Sequence, residues 1–244
     1  MKKVLIAAPV AGTKQYSMGV WLNWIANQNH KEFEVAMCVN GKEKDEVIEM
    51  LKKTSIVSKY GDTKTIKILK LEADEKLTTI QRITYAREKL RRFAVKEKYD
   101  YLFFSDTDTI PLTYDTIKIL MCEDVVSGVY FYKNSKVPVV IDKDTRTNIS
   151  LEKMRQAYEE KKLVEVWGFG FGVLMLPYSV FSKCEFDYDL FGEERTDDFG
   201  YCSVLEKNKI KRFLNPKVMC QHLGTVDFNK LNKMTKINFQ DEAR

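Results

Sequence analysis

Asp106-Thr107-Asp108 directly follows Tyr101-Leu102-Phe103-Phe104-Ser105, and this meeting of charge with an apolar run is the most informative feature of the chain. A wholly apolar run of this length reads as a strand buried on both faces of a parallel sheet. Residues at its end stand near the interior, where unpaired charge is costly. Two aspartates at spacing i, i+2 repel each other there unless a cation lies between them. Hard carboxylate oxygens in this pattern suit Mg2+ or Mn2+, with diphosphate oxygens completing the shell. The competing reading is local: either aspartate caps a helix near Thr113 or forms an Asx turn.

Other residues fit such a site. Arg87 lies near the middle of the apolar face that Ile80, Ile83, Ala86, Leu90, Phe93 and Ala94 define at helical spacing. A buried guanidinium needs an anionic partner. That partner is a structural carboxylate, the aspartate pair, or phosphates held by the pair. Trp167-Gly168-Phe169-Gly170-Phe171-Gly172 alternates aromatics with glycines before an apolar run. Gly170 and its neighbours allow close backbone approach to a ligand, and the aromatics suit stacking on sugar or base faces. A glycine-relieved bulge explains the same pattern. Thr196-Asp197-Asp198 opens a helix, where the dipole alone favours acidic residues. His222 closes a strand-like segment and is structural or a ligand by residue type. His30, the other histidine, is expected at the surface.

The elements that must position these groups follow from periodicity. Val4 to Ala8 reads as a first buried strand, Pro9 to Ser17 as a loop, and Val20, Trp21, Trp24 and Ile25 as one helix face. Phe33 to Val39 is a second strand. Lys42 to Lys59 reads as one amphipathic helix with Val47, Ile48, Leu51 and Val57 inward, and Thr65 to Leu71 as a strand. Thr78-Thr79-Ile80-Gln81 fits a capping box, opening a helix that runs to about Lys98. Such alternation argues for an α/β domain with a mostly parallel sheet. Farther on, strands are expected at Asp124 to Phe131, Val137 to Ile141, Phe171 to Leu176 and Arg212 to Cys220. Helices are expected at Ser150 to Lys162 and Asp197 to Asn208. The tail after Asp227 reads as a marginal helix or a disordered arm.

Composition bounds the possibilities. The 244 residues are 44% hydrophobic and 31% charged, which excludes disordered and collagen-like classes. The net charge of +5 (40 − 35) is too mild to indicate nucleic-acid binding. The 5 cysteines form no CxxC pair and read as free thiols in a reducing cytoplasm. The longest apolar runs fall far short of the ~20 residues of a spanning helix. Peripheral contact with the inner membrane face is expected only through the basic tail.

Taken together, these residues resemble the GT-A glycosyltransferases, from Val4 to about Thr225. Asp106-Thr107-Asp108 looks like that family's DxD. Gly168 to Leu176 with Phe181 looks like its glycine-rich stretch. Thr196-Asp197-Asp198 with Tyr201-Cys202 is similar to its Thr-Glu-Asp segment, with Asp197 in the Glu place. His222-Leu223-Gly224-Thr225 is similar to its late metal-binding histidine. The resemblance implies a single Rossmann-like GT-A domain at residues 1–225, its mostly parallel central sheet flanked by helices, with a tail at 226–244. Residues 1–110 would bind the nucleotide and 111–225 the acceptor.

The resemblance also implies a set of roles. Mn2+ or Mg2+ would be held by Asp106, Asp108 and His222. A nucleotide-diphosphate sugar would meet Pro9, Val10, Ala11, Arg87, Asp106 and Gly170. Asp198, or Asp197, would deprotonate a hydroxyl of a glycan, lipid-linked or protein acceptor, giving inversion. Asn40 stands where many relatives carry an acidic residue. Other readings stay open. Phe103 to Thr109 also resembles the hhhhDxDxT of haloacid-dehalogenase-type phosphatases, with Asp106 as nucleophile. A sugar-nucleotide pyrophosphorylase would want more glycines after the first strand than Gly12 alone. A non-catalytic nucleotide-sugar-binding domain would keep the fold without turnover.

Overall fold

The computed structural model describes residues 2–11, 14–41, 43–72, 76–190 and 196–224. The first part alternates strand and helix: β1 (Val4–Ala11), α1 (Gln15–Ala26), β2 (Phe33–Asn40), α2 (Lys44–Lys52), β3 (Ser55–Val57) and β4 (Thr63–Lys70). Then come α3 (Thr79–Lys96), β5 (Tyr101–Ser105), β6 (Thr109–Pro111), α4 (Thr116–Leu120), β7 (Val125–Val129) and β8 (Val140–Asp142). The chain continues through α5 (Leu151–Glu159), β9 (Val164–Phe169), β10 (Val173–Pro177), α6 (Tyr178–Phe181), α7 (Asp197–Lys207) and β11 (Arg212–His222). Thr225 and the expected tail at 226–244 lie outside the described residues.

The strands form one sheet in the order β3-β4-β2-β1-β5-β10-β7-β11-β9-β8, with β6 paired to β11. The fold is α/β, but the sheet is mixed rather than mostly parallel. Among the described residues four pairings are parallel and six antiparallel. The reversal begins at β10, which runs antiparallel to both β5 and β7. Apolar runs such as Phe171 to Leu176 mark burial on two faces and carry no sign of strand direction, so the sequence pattern could not separate the two cases.

Side chains alternate across the sheet, giving one apolar layer on each face. Leu5, Ala7, Leu102 and Phe104 face the layer that holds Ala86, Leu90 and Ala94 of α3 and Tyr201, Cys202 and Leu205 of α7. Val4, Ile6, Ala8, Val10, Tyr101 and Phe103 face the layer of Trp21, Trp24, Val47 and Leu51. Thus α3 and α7 share one face, which brings Arg87 towards Asp197 and Asp198.

The α3 capping box is formed: Gln81 N–H donates to Thr78 Oγ1 at 3.2 Å, and Thr78 N–H to Gln81 Oε1 at 2.8 Å. Ser150 likewise caps α5 through Lys153 N–H. Four local expectations change. The helix expected over 42–59 stops at Lys52, and β-branched Ile56 and Val57 enter β3; Val57 is 60% exposed, not inward. Pro9, Val10 and Ala11 extend β1, because Pro9 donates no hydrogen bond and still keeps register with Cys38. The Trp167–Phe169 stretch, expected to precede a strand, itself lies within β9. His30 is buried, with Nε2 3.0 Å from the Lys2 carbonyl oxygen.

A second buried charge cluster ties α3 to the segment before α7. Glu88 accepts two bonds from Arg91, each 2.7 Å, and one from the Phe186 N–H at 2.9 Å. Arg91 also donates to the Phe181 carbonyl at 2.8 Å. Removing one member of such a pair leaves the other charge buried. Glu88→Ala should cost about 3–5 kcal/mol in urea unfolding. A cost under about 1 kcal/mol would show that Glu88 does not anchor this segment.

Candidate active site

The strand β5 is buried along its whole length, so the chain meets solvent only where it ends. Asp106 is the next residue. Its N–H donates to the Gly172 carbonyl at 3.0 Å, and its carbonyl accepts from Thr109 N–H at 3.0 Å, making a tight turn into β6. Neither Asp106 nor Asp108 caps a helix. Residues Pro9, Ala11, Lys14, Asn40, Ile83, Arg87 and Asp106 to Asp108, with Asp197 and Asp198, line a cleft of about 230 Å³. It lies at the carboxyl ends of the parallel strands β1, β2 and β5, where open α/β sheets bind ligands.

Arg87 is the hub of one side. Its side chain is 3% exposed and stands 5.0 Å over the Phe171 ring. Nη2 donates to Asp106 Oδ1 at 3.1 Å, and Nη1 donates to Asp198 Oδ1 at 2.6 Å and to Asp197 Oδ2. One guanidinium therefore faces three carboxylates. Burial alone would lower its pKa, but the three aspartates raise it further above the usual arginine range. The carboxylates respond in turn. Burial pushes Asp106 and Asp197 up, although Arg87 opposes it. Burial and the adjacent Asp197 push Asp198 up to about 7.

Asp108, two residues on, has the opposite surroundings. Its side chain is 3% exposed, and its Oδ2 meets Lys14 Nζ, Lys133 Nζ at 3.0 Å, Tyr16 Oη at 3.4 Å and His222 Nε2 at 3.7 Å. Burial works against its charge, but His222 and the lysines outweigh burial and hold Asp108 well below the usual carboxylate range. The register His222↔Thr109 between β11 and β6 places the imidazole, and Leu223 N–H donates to the Asp108 carbonyl at 2.7 Å.

His222 Nδ1 lies 2.9 Å from the Phe131 carbonyl oxygen, which can only accept, so Nδ1 carries a hydrogen. Doubly protonated, the ring donates from Nε2 to Asp108; in the neutral ring Nε2 is an acceptor facing a carboxylate oxygen. Two acceptors 3.7 Å apart fit a shared cation, and the carbonyl behind the ring is the support that metal-binding histidines use. Asp106 does not join them, because it turns towards Arg87. Among the described residues no three His, Cys, Asp or Glu side chains form a full ligand set. Asp108 and His222 would thus hold Mg2+ or Mn2+ with ligand and water oxygens supplying the rest, as such ions commonly require.

The other expected contacts are divided. Pro9 and Ala11 line the cleft, whereas the Val10 side chain lies in the opposite core layer. Gly170 lies away from the cleft: its N–H donates to the Val139 carbonyl, and a Cβ there would meet Tyr130 Oη at 1.8 Å. Phe169 and Phe171 are fully buried, and Trp167 stacks on Phe199, so these aromatics pack the protein rather than face a ligand. Lys14, Tyr16 and Lys133 carry no signal in the sequence, since each reaches Asp108 from a segment distant in the chain.

The chain matches no protein-family model and no curated protein sequence. Solved structures do match it in shape. A197 from STIV covers 91% of this chain and 86% of its own, with a TM-score of 0.52 and 18% identity. GalNAc-T7, solved with UDP, GalNAc and Mn2+, covers 91% of this chain with a TM-score of 0.61 and 12% identity. TarS from S. aureus covers 89%, with a TM-score of 0.52 and 15% identity. The fold resembles that of the GT-A glycosyltransferases. At these identities the likeness is one of fold. The chain spans only 43% of the GalNAc-T7 chain and 59% of the TarS chain.

Arg87→Met tests the hub. Buried Asp197 and half-buried Asp106 and Asp198 would lose the cation they share, costing about 3–5 kcal/mol. Without the cation their folded pKa values rise further above the unfolded ones, so stability falls as pH rises. The deficit in urea unfolding should be larger at about pH 8 than at about pH 5. A deficit independent of pH would contradict the charge assignment.

Proposed function

We propose that this protein is a glycosyltransferase. It moves a sugar from a nucleotide-diphosphate sugar to an acceptor hydroxyl, with Asp198 as general base and inversion at the anomeric carbon. One observation carries the reading. A single cleft holds two carboxyl groups in contrasting surroundings: Asp198, pushed up to about 7 by burial and Asp197, and Asp108, held well below the usual carboxylate range by His222 and the lysines. Environments that push carboxylates apart in this way assign separate tasks to them.

Asp198 suits proton abstraction. Its side chain is 21% exposed, so an acceptor hydroxyl can reach it, and its pKa lies near neutrality, as an efficient base requires. Arg87 fixes the Oδ1 atom of Asp198 and stabilises its ionised form. Asp197 is more buried and points at the same guanidinium, which makes it the positioning partner. Pro9, Ala11 and Asn40 form the end of the cleft where the base would sit. Asp108 and His222 would hold a divalent cation, which would offset charge on the departing diphosphate. The likeness of fold to GalNAc-T7, solved with UDP, GalNAc and Mn2+, supports this donor class.

The test is nucleoside diphosphate release from a sugar-nucleotide panel with Mn2+ and simple acceptors. A base must be ionised to act, so kcat/KM should rise with pH and level off above about 7. Asp198→Asn should lower kcat by about 10²–10⁴-fold while donor affinity stays within a few-fold. Hydrolysis of p-nitrophenyl phosphate lost in Asp106→Asn, with every sugar nucleotide inert, would overturn the reading in favour of a phosphatase.

A further inference from the structure

Lys14 and Lys133 converge on one atom, Asp108 Oδ2, from segments far apart in the chain. Lys14 precedes α1, and Lys133 lies in the loop between β7 and β8. Their side chains are 36% and 38% exposed, so neither is fixed by burial. Two ammonium groups on one carboxylate leave an excess positive charge at this corner. They also reach the same oxygen that faces His222 Nε2, the place a shared cation would take.

The contact also joins residues of two spaces. On one side is the cleft of about 230 Å³ that includes Lys14 and Asp108. On the other is a cavity of about 470 Å³ lined by Phe131 to Lys136 and Cys220 to His222. Ligand pockets are usually about 300–1,000 Å³. The cleft alone is below that range; Asp108 on its lining meets Lys133 and His222 on the lining of the second space.

We propose that Lys14 and Lys133 form a cationic latch: they occupy Asp108 in the free protein and transfer to the donor diphosphate when it binds. This rests on reading the cleft as a diphosphate site. The exchange is of charge-assisted contacts only, and no covalent bond changes. Diphosphate draws the ammonium groups off Asp108 and leaves its Oδ2 free beside His222. The lysines therefore compete with a divalent cation when no phosphate is present, and cooperate with it when phosphate is bound.

The two effects have opposite signs, which separates the latch from a merely structural ion pair. Mn2+ binding without phosphate is read from the electron paramagnetic resonance of free Mn2+. Pyrophosphate binding in EDTA is read by calorimetry. In Lys14→Met/Lys133→Met, Mn2+ should bind about tenfold more tightly and pyrophosphate at least about tenfold more weakly than in wild type. Lys133→Met alone, a change in a half-exposed loop side chain, should move both in the same directions by less. Lys133→Arg should retain pyrophosphate binding. Unchanged or weakened Mn2+ binding in both variants would overturn the latch, as would pyrophosphate binding indifferent to them. If both bindings move as expected while every sugar nucleotide stays inert, the latch holds and the transferase reading fails.

Discussion

One buried guanidinium shared by three carboxylates organises this cleft. Like charges a few ångströms apart in a partly dry site repel by about 4 kcal/mol per pair at an effective dielectric of 20. Arg87 offsets one charge of the Asp106, Asp197 and Asp198 set, so the remainder is relieved by proton uptake. That single fact links fold to chemistry. It requires α3 and α7 on the same face of the sheet, and it requires the β5 turn to present Asp106 between them. It also produces a carboxylate poised near neutral pH at an accessible edge.

The second half of the cleft depends on strand direction. Antiparallel β10 lies beside β5, and Gly172 just before it supplies the carbonyl that pins Asp106, while β11 returns along β7 and pairs with β6. A purely parallel sheet would not bring His222 back to Asp108. Under Arg87, Phe171, Phe186 and Tyr201 pack as an aromatic cluster, with Phe186 and Tyr201 stacked 3.9 Å apart. Gly170 and Gly172 are glycines because Tyr130 and Thr109 fill the space a Cβ would need.

What the sequence disclosed follows from locality. The apolar run before Asp106, the capping box at Thr78 and Gln81, and the starts of α5 and α7 are written within a few residues, and each forms as expected. Arg87 on an apolar helix face announced a buried anion, but not which one, because its partners come from β5 and α7. The end of β1 shows the limit sharply. Pro9, Val10 and Ala11 were grouped as one ligand-facing segment. Strand alternation instead sends Val10 into the core while Pro9 and Ala11 face the cleft. Lys14 and Lys133 were silent because an exposed-looking lysine acquires meaning only from what lies across from it.

The account is tested most directly by titrating aspartate carboxyl groups with 13C NMR in the ligand-free protein. One carboxyl should titrate near 7 and vanish from the titration in Asp198→Asn. A second, assigned to Asp108, should stay ionised far below the usual aspartate range. If every aspartate instead titrates between about 3 and 5, as unperturbed groups do, the shared guanidinium does not divide the cleft into the two protonation states on which the proposed chemistry rests.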